Sequence, residues 1–172
     1  MGTLRYVKGF VLEPLLGILV VPAIILMFFR EIHYAWLYEY PFGVVATTVG
    51  LLLTVFGLVL LTVTTYLFAK IGNGSAAPWD PPTNLVVHGI YRYVRNPMVL
   101  GVLFTVLGEV VLFGSFPLLL LFLFLFVGNH ILFVKQEEPE LQQRFGDNYT
   151  RYMNNVPRWF PRRTSWEPES ED

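Results

Sequence analysis

The chain has 172 residues, of which 54% are hydrophobic, 16% aromatic and only 15% charged, and its formal net charge is −1. Soluble domains carry about a quarter charged residues, so the shortfall indicates membrane segments. The net charge argues against a nucleic-acid partner. The absence of cysteine excludes disulfides, zinc–thiolate sites and cysteine nucleophiles, and no other metal site is predicted.

Four apolar runs predict about four transmembrane helices in an all-α fold. They lie at roughly 10–29, 43–69, 98–113 and 117–134. No small-residue cleavage site follows the first run, which favours a retained helix over a removed signal. A span needs about 20 apolar residues, so the last two runs are short. Because so few residues separate them, we expect a tight helical hairpin.

The distribution of basic residues predicts the orientation of these helices. Four crossings place the N-terminus, the 70–97 loop and the C-terminal tail on one side, and that side carries 11 of the 12 lysines and arginines. The opposite side carries only Arg30. We therefore predict an integral membrane protein among membrane lipids, with the N-terminus, the loop and the tail in the cytoplasm.

The loop at 70–97 is long and rich in glycine and proline, yet it contains several aromatic and β-branched residues. This composition favours a structured, functional segment over a disordered connector. Asn96 and Pro97 predict a helix start, because asparagine caps first-turn amides and proline is tolerated at the first helical position. A helix N-terminus also suits an anionic group. The residues alone leave two alternatives open: a capped membrane helix with interfacial arginines, or a binding site.

Beyond the fourth run, charges alternate with apolar residues at spacings of three and four, which predicts an amphipathic helix capping the membrane helices. Its apolar positions are Leu141, Phe145, Tyr149, Tyr152, Met153 and Val156. The acidic segment 164–172 is predicted to be disordered.

Acidic and polar residues near the fourth run are functional candidates. Glu137 and Glu138 would oppose the macrodipole at a helix C-terminus, which calls for a functional role or for pairing with Arg92 or Arg95. His130 lies eight residues before Glu138, close to the same helical face. Polar groups inside a membrane segment are functional suspects.

Two motifs resemble those of a known family. The stretch "GIYRYVRNP" at 89–97 fits G-x-Y-x-x-x-R-[HN]-P, and "EEPELQQRFGDNYTRYMNNVP" at 137–157 fits E-E-x-x-L-x-x-x-F-G-x-x-Y-x-x-Y-x-x-x-V-P. In this order they are similar to membrane methyltransferases related to isoprenylcysteine carboxyl methyltransferase and the phospholipid methyltransferases. The resemblance covers roughly 70–163. It implies a catalytic region there, after N-terminal transmembrane helices at 1–69 and before the acidic tail at 164–172.

The resemblance implies that S-adenosylmethionine enters from the cytosol and that a lipophilic methyl acceptor enters from the bilayer. Cofactor contacts are then expected at Thr83, Asn84, Leu85, Val86, Tyr91, Asn96, Pro97, Met98 and Val99. The expected catalytic residues are Glu138, Arg95 and His130, and the expected acceptor contacts are Glu138 and Lys135. An amine or hydroxyl acceptor needs a base, for which Glu138 and His130 are the candidates, whereas a carboxylate does not.

The acceptor stays open between an isoprenylcysteine carboxylate, a phospholipid amine and another lipid. The isoprenylcysteine branch usually has histidine and tyrosine where this chain has Asn96 and Val99, and arginine where it has Val134. An alternative of another class is a non-catalytic membrane protein that binds haem or quinone through His88 and His130.

Overall fold

The computed structural model describes residues 16–29, 41–72 and 83–167. Predictions for the start of the first apolar run, for 73–82 of the loop and for 168–172 of the tail lie outside the described residues. Helices are the only regular secondary structure in these ranges. The elements are a π-helical turn (Leu16–Val20), α1 (Val21–Phe28), α2 (Phe42–Gly72), a 3-10 turn (Gly89–Arg92), α3 (Pro97–Phe113), α4 (Phe116–Leu132), a π-helical segment (Phe133–Glu137) and α5 (Glu138–Asn155).

Two helical runs are long and apolar enough to cross a membrane: Phe42–Gly72, with 31 residues, and Phe116–Asn155, with 40. Most residues in their apolar windows are not buried inside the protein, as lipid-facing helices require. The described part of the first run and α3 are shorter apolar helices. The all-α architecture predicted from the sequence is confirmed, and two of the four predicted spans meet the length and composition of a crossing helix.

The fourth apolar run continues as a helix beyond residue 134. The π-helical segment Phe133–Glu137 joins α4 to α5 without a break. Glu137 and Glu138 therefore do not lie at a helix C-terminus, and the unfavourable interaction with the macrodipole expected there does not arise. Glu138 is instead the first residue of α5.

Helices α2 and α3 pack with their backbones in contact at glycines. A Cβ atom added to Gly101 would lie 2.7 Å from the backbone nitrogen of Leu61 and 3.0 Å from the carbonyl oxygen of Gly57. Seven residues further along α3, a Cβ on Gly108 would lie 2.8 Å from the carbonyl oxygen of Gly50. Small residues allow such close approach between membrane helices. The partner positions fall along α2 as they rise along α3, so the two helices run antiparallel.

Helix α3 also packs against α4, with two residues between them. Gly114 ends α3 with a positive φ of 56°, and the Ser115 hydroxyl accepts a hydrogen bond from the Leu118 amide at 3.5 Å. Glycine adopts this φ without the steric penalty of a side chain. The π-helical turn, α2, α3 and α4 share one hydrophobic core. It comprises Ile18, Leu61 and Val106, with Met98, Val102, Leu121, Phe122 and Leu125 packed against it.

The amphipathic face predicted for the C-terminal helix is confirmed. Helix α5 and the residues after it build a second core, which we call the cap cluster. It consists of Val87, Tyr149, Tyr152 and Val156, with Leu85, Leu141, Phe145, Met153 and Trp166 packed around it. All six predicted apolar positions belong to this cluster. A kink at Gly146, whose φ is 55° and ψ is −130°, interrupts α5.

Residues 156–167, which we call the C-terminal strap, lie along the loop that precedes α3. Three backbone amides join the two segments: Arg95 donates to the Pro157 carbonyl at 2.9 Å, Arg162 to Tyr93 at 3.0 Å and Trp166 to Arg92 at 3.1 Å. Glu167 also forms an ion pair with Arg92 at 3.0 Å. These contacts hold the strap against the loop as far as Glu167.

Candidate functional site

A carboxylate held by two guanidinium groups lies where the loop, α5 and the strap meet. Arg95 Nη1 donates to Glu138 Oε1 at 2.9 Å, while Arg158 donates from Nε to Oε1 and from Nη2 to Oε2, both at 2.7 Å. Only 12% of the Glu138 side chain is exposed, against 10% for Arg95 and 20% for Arg158. Bidentate, charge-assisted geometry of this kind is strong and directional. The hydrogen bonds to Glu138 raise the pKa of Arg158 above its ordinary value.

Three separate parts of the sequence supply this Glu138 cluster. Arg95 ends the loop before α3, Glu138 begins α5, and Arg158 belongs to the strap. The backbone bond from Arg95 to Pro157 joins loop and strap at the residue just before Arg158. Pairing of Glu138 with Arg95 was one of the sequence expectations, and the structure contains it. Arg92 pairs with Glu167 instead.

Two consecutive residues at the cluster each have a buried nitrogen donor without a partner in the described part of the chain: Arg95 Nε and Asn96 Nδ2. Asn96 stands at the N-cap position of α3 and Pro97 is its first residue, as predicted, but the Asn96 side chain forms no capping bond. That part of the prediction is wrong. An unpaired buried donor is costly. Two such donors at a helix N-terminus suit an anionic ligand.

The other predicted cofactor residues of the loop make contacts within the protein. The amides of Thr83 and Asn84 donate to the Gly72 carbonyl at 2.9 and 3.2 Å, and Asn84 Nδ2 donates to Ile71 at 3.2 Å. These bonds satisfy carbonyls at the C-terminal end of α2. Leu85 packs on the cap cluster and Val86 is buried. The four residues therefore fix the loop to α2 and to the cap.

Tyr91 is buried in the 3-10 turn, with its ring centroid 6.3 Å from that of Phe68. Burial, and secondly the charge of Glu137, raise the pKa of Tyr91 well above its ordinary value. Its phenol therefore stays protonated. Its backbone carbonyl accepts the Tyr152 hydroxyl at 2.8 Å, which connects the turn to α5.

Replacing Tyr152 with phenylalanine is expected to lower the free energy of unfolding by about 1–3 kcal/mol, because the buried Tyr91 carbonyl would lose the hydroxyl donor. Thermal unfolding in detergent, followed by circular dichroism, measures the change. Tyr93→Phe is the matched control, since its side chain is exposed. Equal melting temperatures for the two variants would contradict the importance of this bond.

The remaining candidate residues are less buried than the cluster. His130 is exposed, and its Nδ1 accepts the indole N–H of Trp159 at 3.0 Å. Lys135 is exposed in the π-helical segment, while Val99 is half-buried near the start of α3. His88 is exposed just before the 3-10 turn. Nothing in the described ranges favours haem or quinone binding through His88 and His130.

The residue-level prediction missed Arg158 and the contact of Trp159 with His130. Both residues follow directly on the "VP" that ends the second motif. No periodic pattern in the sequence reveals partners that lie 20 and 29 residues upstream. The position of an arginine just after the motif is the one signal available.

The chain is similar to known proteins over a region that contains part of this site. A family model described as phospholipid methyltransferase matches residues 45–148, which include most of α2, the loop, Arg95, Asn96 and Glu138 but not Arg158. The protein-S-isoprenylcysteine O-methyltransferase of Schizosaccharomyces pombe is 38% identical over 77 residues, a match that covers 45% of this chain and 33% of that relative. The chain thus matches about one third of the length of that relative. The family match spans more than half of the chain, and this protein belongs to the phospholipid methyltransferase family.

Proposed function

We propose that this protein is an integral membrane methyltransferase that transfers a methyl group from S-adenosylmethionine to a lipophilic acceptor drawn from the bilayer. Family membership supports the reaction class. The observation that carries the proposal is the pair of buried, unpartnered donors on Arg95 and Asn96. They fit the carboxylate of the methionyl part of the cofactor.

In this proposal the other residues that hold the cofactor lie on either side of this pair in the sequence. Arg95 and Asn96 bind its carboxylate, and the aromatic ring of Tyr91 suits its sulfonium charge. The stretches 83–86 and 97–99 complete the binding region. The cofactor supplies a methyl group on a positively charged sulfur. What remains for the protein is to orient two reactants and to exclude water.

Glu138 has an organising role in this proposal. Its carboxylate accepts three hydrogen bonds, so it fixes the guanidinium planes of Arg95 and Arg158 beside the reacting groups. Lys135, three residues earlier, would contact the acceptor head group. The acceptor is a lipid of the isoprenylcysteine or phospholipid type, and a carboxylate acceptor would need no base.

The membrane arrangement that we propose has four spans, with α3 and α4 as a helical hairpin. The two-residue connection at Gly114 and Ser115 supports the hairpin. The excess of basic residues on one side supports a cytoplasmic N-terminus, loop and C-terminal tail. In this orientation the Glu138 cluster faces the cytosol and α4 borders the bilayer.

Asn96→Ala is expected to weaken the binding of S-adenosylhomocysteine about tenfold, because a hydrogen bond to a charged group is lost. Isothermal titration calorimetry on the purified protein in nanodiscs measures the dissociation constant. Asn148→Ala is the matched control, since that side chain is exposed on α5. Unchanged affinity in Asn96→Ala would contradict a contact between Asn96 and the cofactor. If the wild-type protein did not bind S-adenosylhomocysteine, the proposed function itself would be contradicted.

A further inference from the structure

Trp159 joins the strap to helix α4. Its ring centroid lies 5.4 Å from that of Phe126, 6.0 Å from that of Phe133 and 6.3 Å from that of His130. The indole nitrogen donates to His130 Nδ1 at 3.0 Å. The strap therefore packs on the apolar helix as well as on the loop.

The bond to Trp159 determines the tautomer of His130. An indole N–H can only donate, so Nδ1 must offer its lone pair, and the neutral imidazole carries its proton on Nε2. The exposed side chain of His130 then presents an N–H donor and no free basic nitrogen. While this bond stands, His130 cannot act as a general base.

The π-helical segment brings His130 into line with Glu138. Eight residues separate them, so a regular α-helix would place them close to one face but about 80° apart around the axis. The π-helical segment between them holds about one more residue per turn than an α-helix. Eight residues across it therefore span the same rotation as about seven residues of an α-helix, which is two full turns and returns to the same face. Consecutive strap residues reach both: Arg158 binds Glu138 and Trp159 binds His130.

We infer that His130 is a fixed hydrogen-bond donor to an anionic oxygen in the head group of the acceptor lipid, and that Trp159 is the positioning residue that fixes it. The inference rests on the proposed methyl transfer. His130 belongs to a lipid-facing helical run and shares a face with the Glu138 cluster, so it lies where a bilayer lipid would approach that cluster. The oxygen can belong to a phosphate or to a carboxylate.

The test combines a spectrum with a kinetic assay on Trp159→Phe, which keeps an aromatic ring against Phe126 and Phe133 but lacks the N–H. The chain has three histidines, so His130→Gln identifies the ¹⁵N signals of His130 in histidine-labelled protein in nanodiscs. The wild type is expected to show the Nε2–H tautomer alone, and Trp159→Phe a mixture of both tautomers. The Nδ1–H tautomer in the wild type would overturn the inference.

The kinetic assay follows transfer of labelled methyl from S-adenosylmethionine into lipids extracted from the source membrane. Trp159→Phe is expected to raise the KM for the lipid about tenfold and leave S-adenosylhomocysteine affinity unchanged, and His130→Ala, which removes the donor, to raise the KM by a similar factor. An unchanged lipid KM in Trp159→Phe would overturn the inference. Failure of the wild type to bind S-adenosylhomocysteine or to transfer methyl would instead remove the proposed function, and the inference with it.

Competition identifies the anionic group. Phosphatidylcholine vesicles that contain either phosphatidic acid or oleic acid are added to the wild-type transfer reaction. Inhibition by phosphatidic acid assigns a phosphate oxygen, and inhibition by oleic acid assigns a carboxylate. Inhibition by neither would overturn the recognition of an anionic oxygen.

Discussion

Glu138→Gln is expected to abolish methyl transfer and to lower the stability of the protein by about 3–5 kcal/mol. The substitution removes the negative charge that faces two largely buried guanidinium groups. Breaking a buried ion pair by removal of one partner is costly because the remaining charge stays desolvated. Here one carboxylate is the ion-pair partner of two arginines, so its loss leaves Arg95 and Arg158 close together with no compensating negative charge.

The control for this variant is Glu140→Gln, which removes the same charge from the same helical turn at an exposed position. Thermal unfolding in detergent and transfer of labelled methyl to lipid are measured for both. We expect the control to match the wild type. If Glu138→Gln also matched the wild type in stability and in methyl transfer, the Glu138 cluster would not organise the site.

Gly101→Ala is expected to lower the free energy of unfolding by about 3 kcal/mol or to prevent folding. The added Cβ would lie 2.7 Å from the backbone nitrogen of Leu61 and 2.9 Å from its Cα. Both contacts are with backbone, so relief requires α2 and α3 to move apart. Overpacking of this kind costs about 1–3 kcal/mol where side chains can adjust. Here no flexible side chain absorbs the clash.

Gly128→Ala provides the comparison, because a Cβ at Gly128 meets nothing within 4 Å in helix α4. Alanine has the higher helix propensity, so this variant should be as stable as the wild type or slightly more stable. Size-exclusion profiles and melting temperatures in the same detergent measure both variants. Equal stability of the two would contradict the close α2–α3 contact.

Patterns in the sequence predicted the amphipathic C-terminal helix and the starts of two apolar helices. The alternation of apolar and charged residues after Lys135 identified the six residues of α5 and the strap that pack into the cap cluster. The apolar runs at 43–69 and 98–113 fall within one residue of the start of α2 and α3. The cap positions could be read from the sequence because burial of one helical face imposes a regular spacing on it, and the membrane helices because a span needs a long apolar run.

Contacts between distant segments left no such pattern. The strap follows the loop through backbone hydrogen bonds, and these depend on no side-chain type. Arg158 and Glu138 are 20 residues apart on segments without a shared period. Asn96 occupies the predicted N-cap position, but its side chain does not form the predicted hydrogen bond. A residue type can predict where a helix begins without determining where its side chain finds a partner.

We propose that the region around the Glu138 cluster transfers a methyl group to a membrane lipid. The most direct test incubates the wild-type protein, in nanodiscs made from its source membrane lipids, with S-adenosylmethionine labelled on the methyl group. Chloroform extraction then separates lipid from water-soluble label. We predict label in the lipid phase for the wild type and none for Glu138→Gln. A folded wild-type protein that leaves the lipid phase unlabelled would contradict the account.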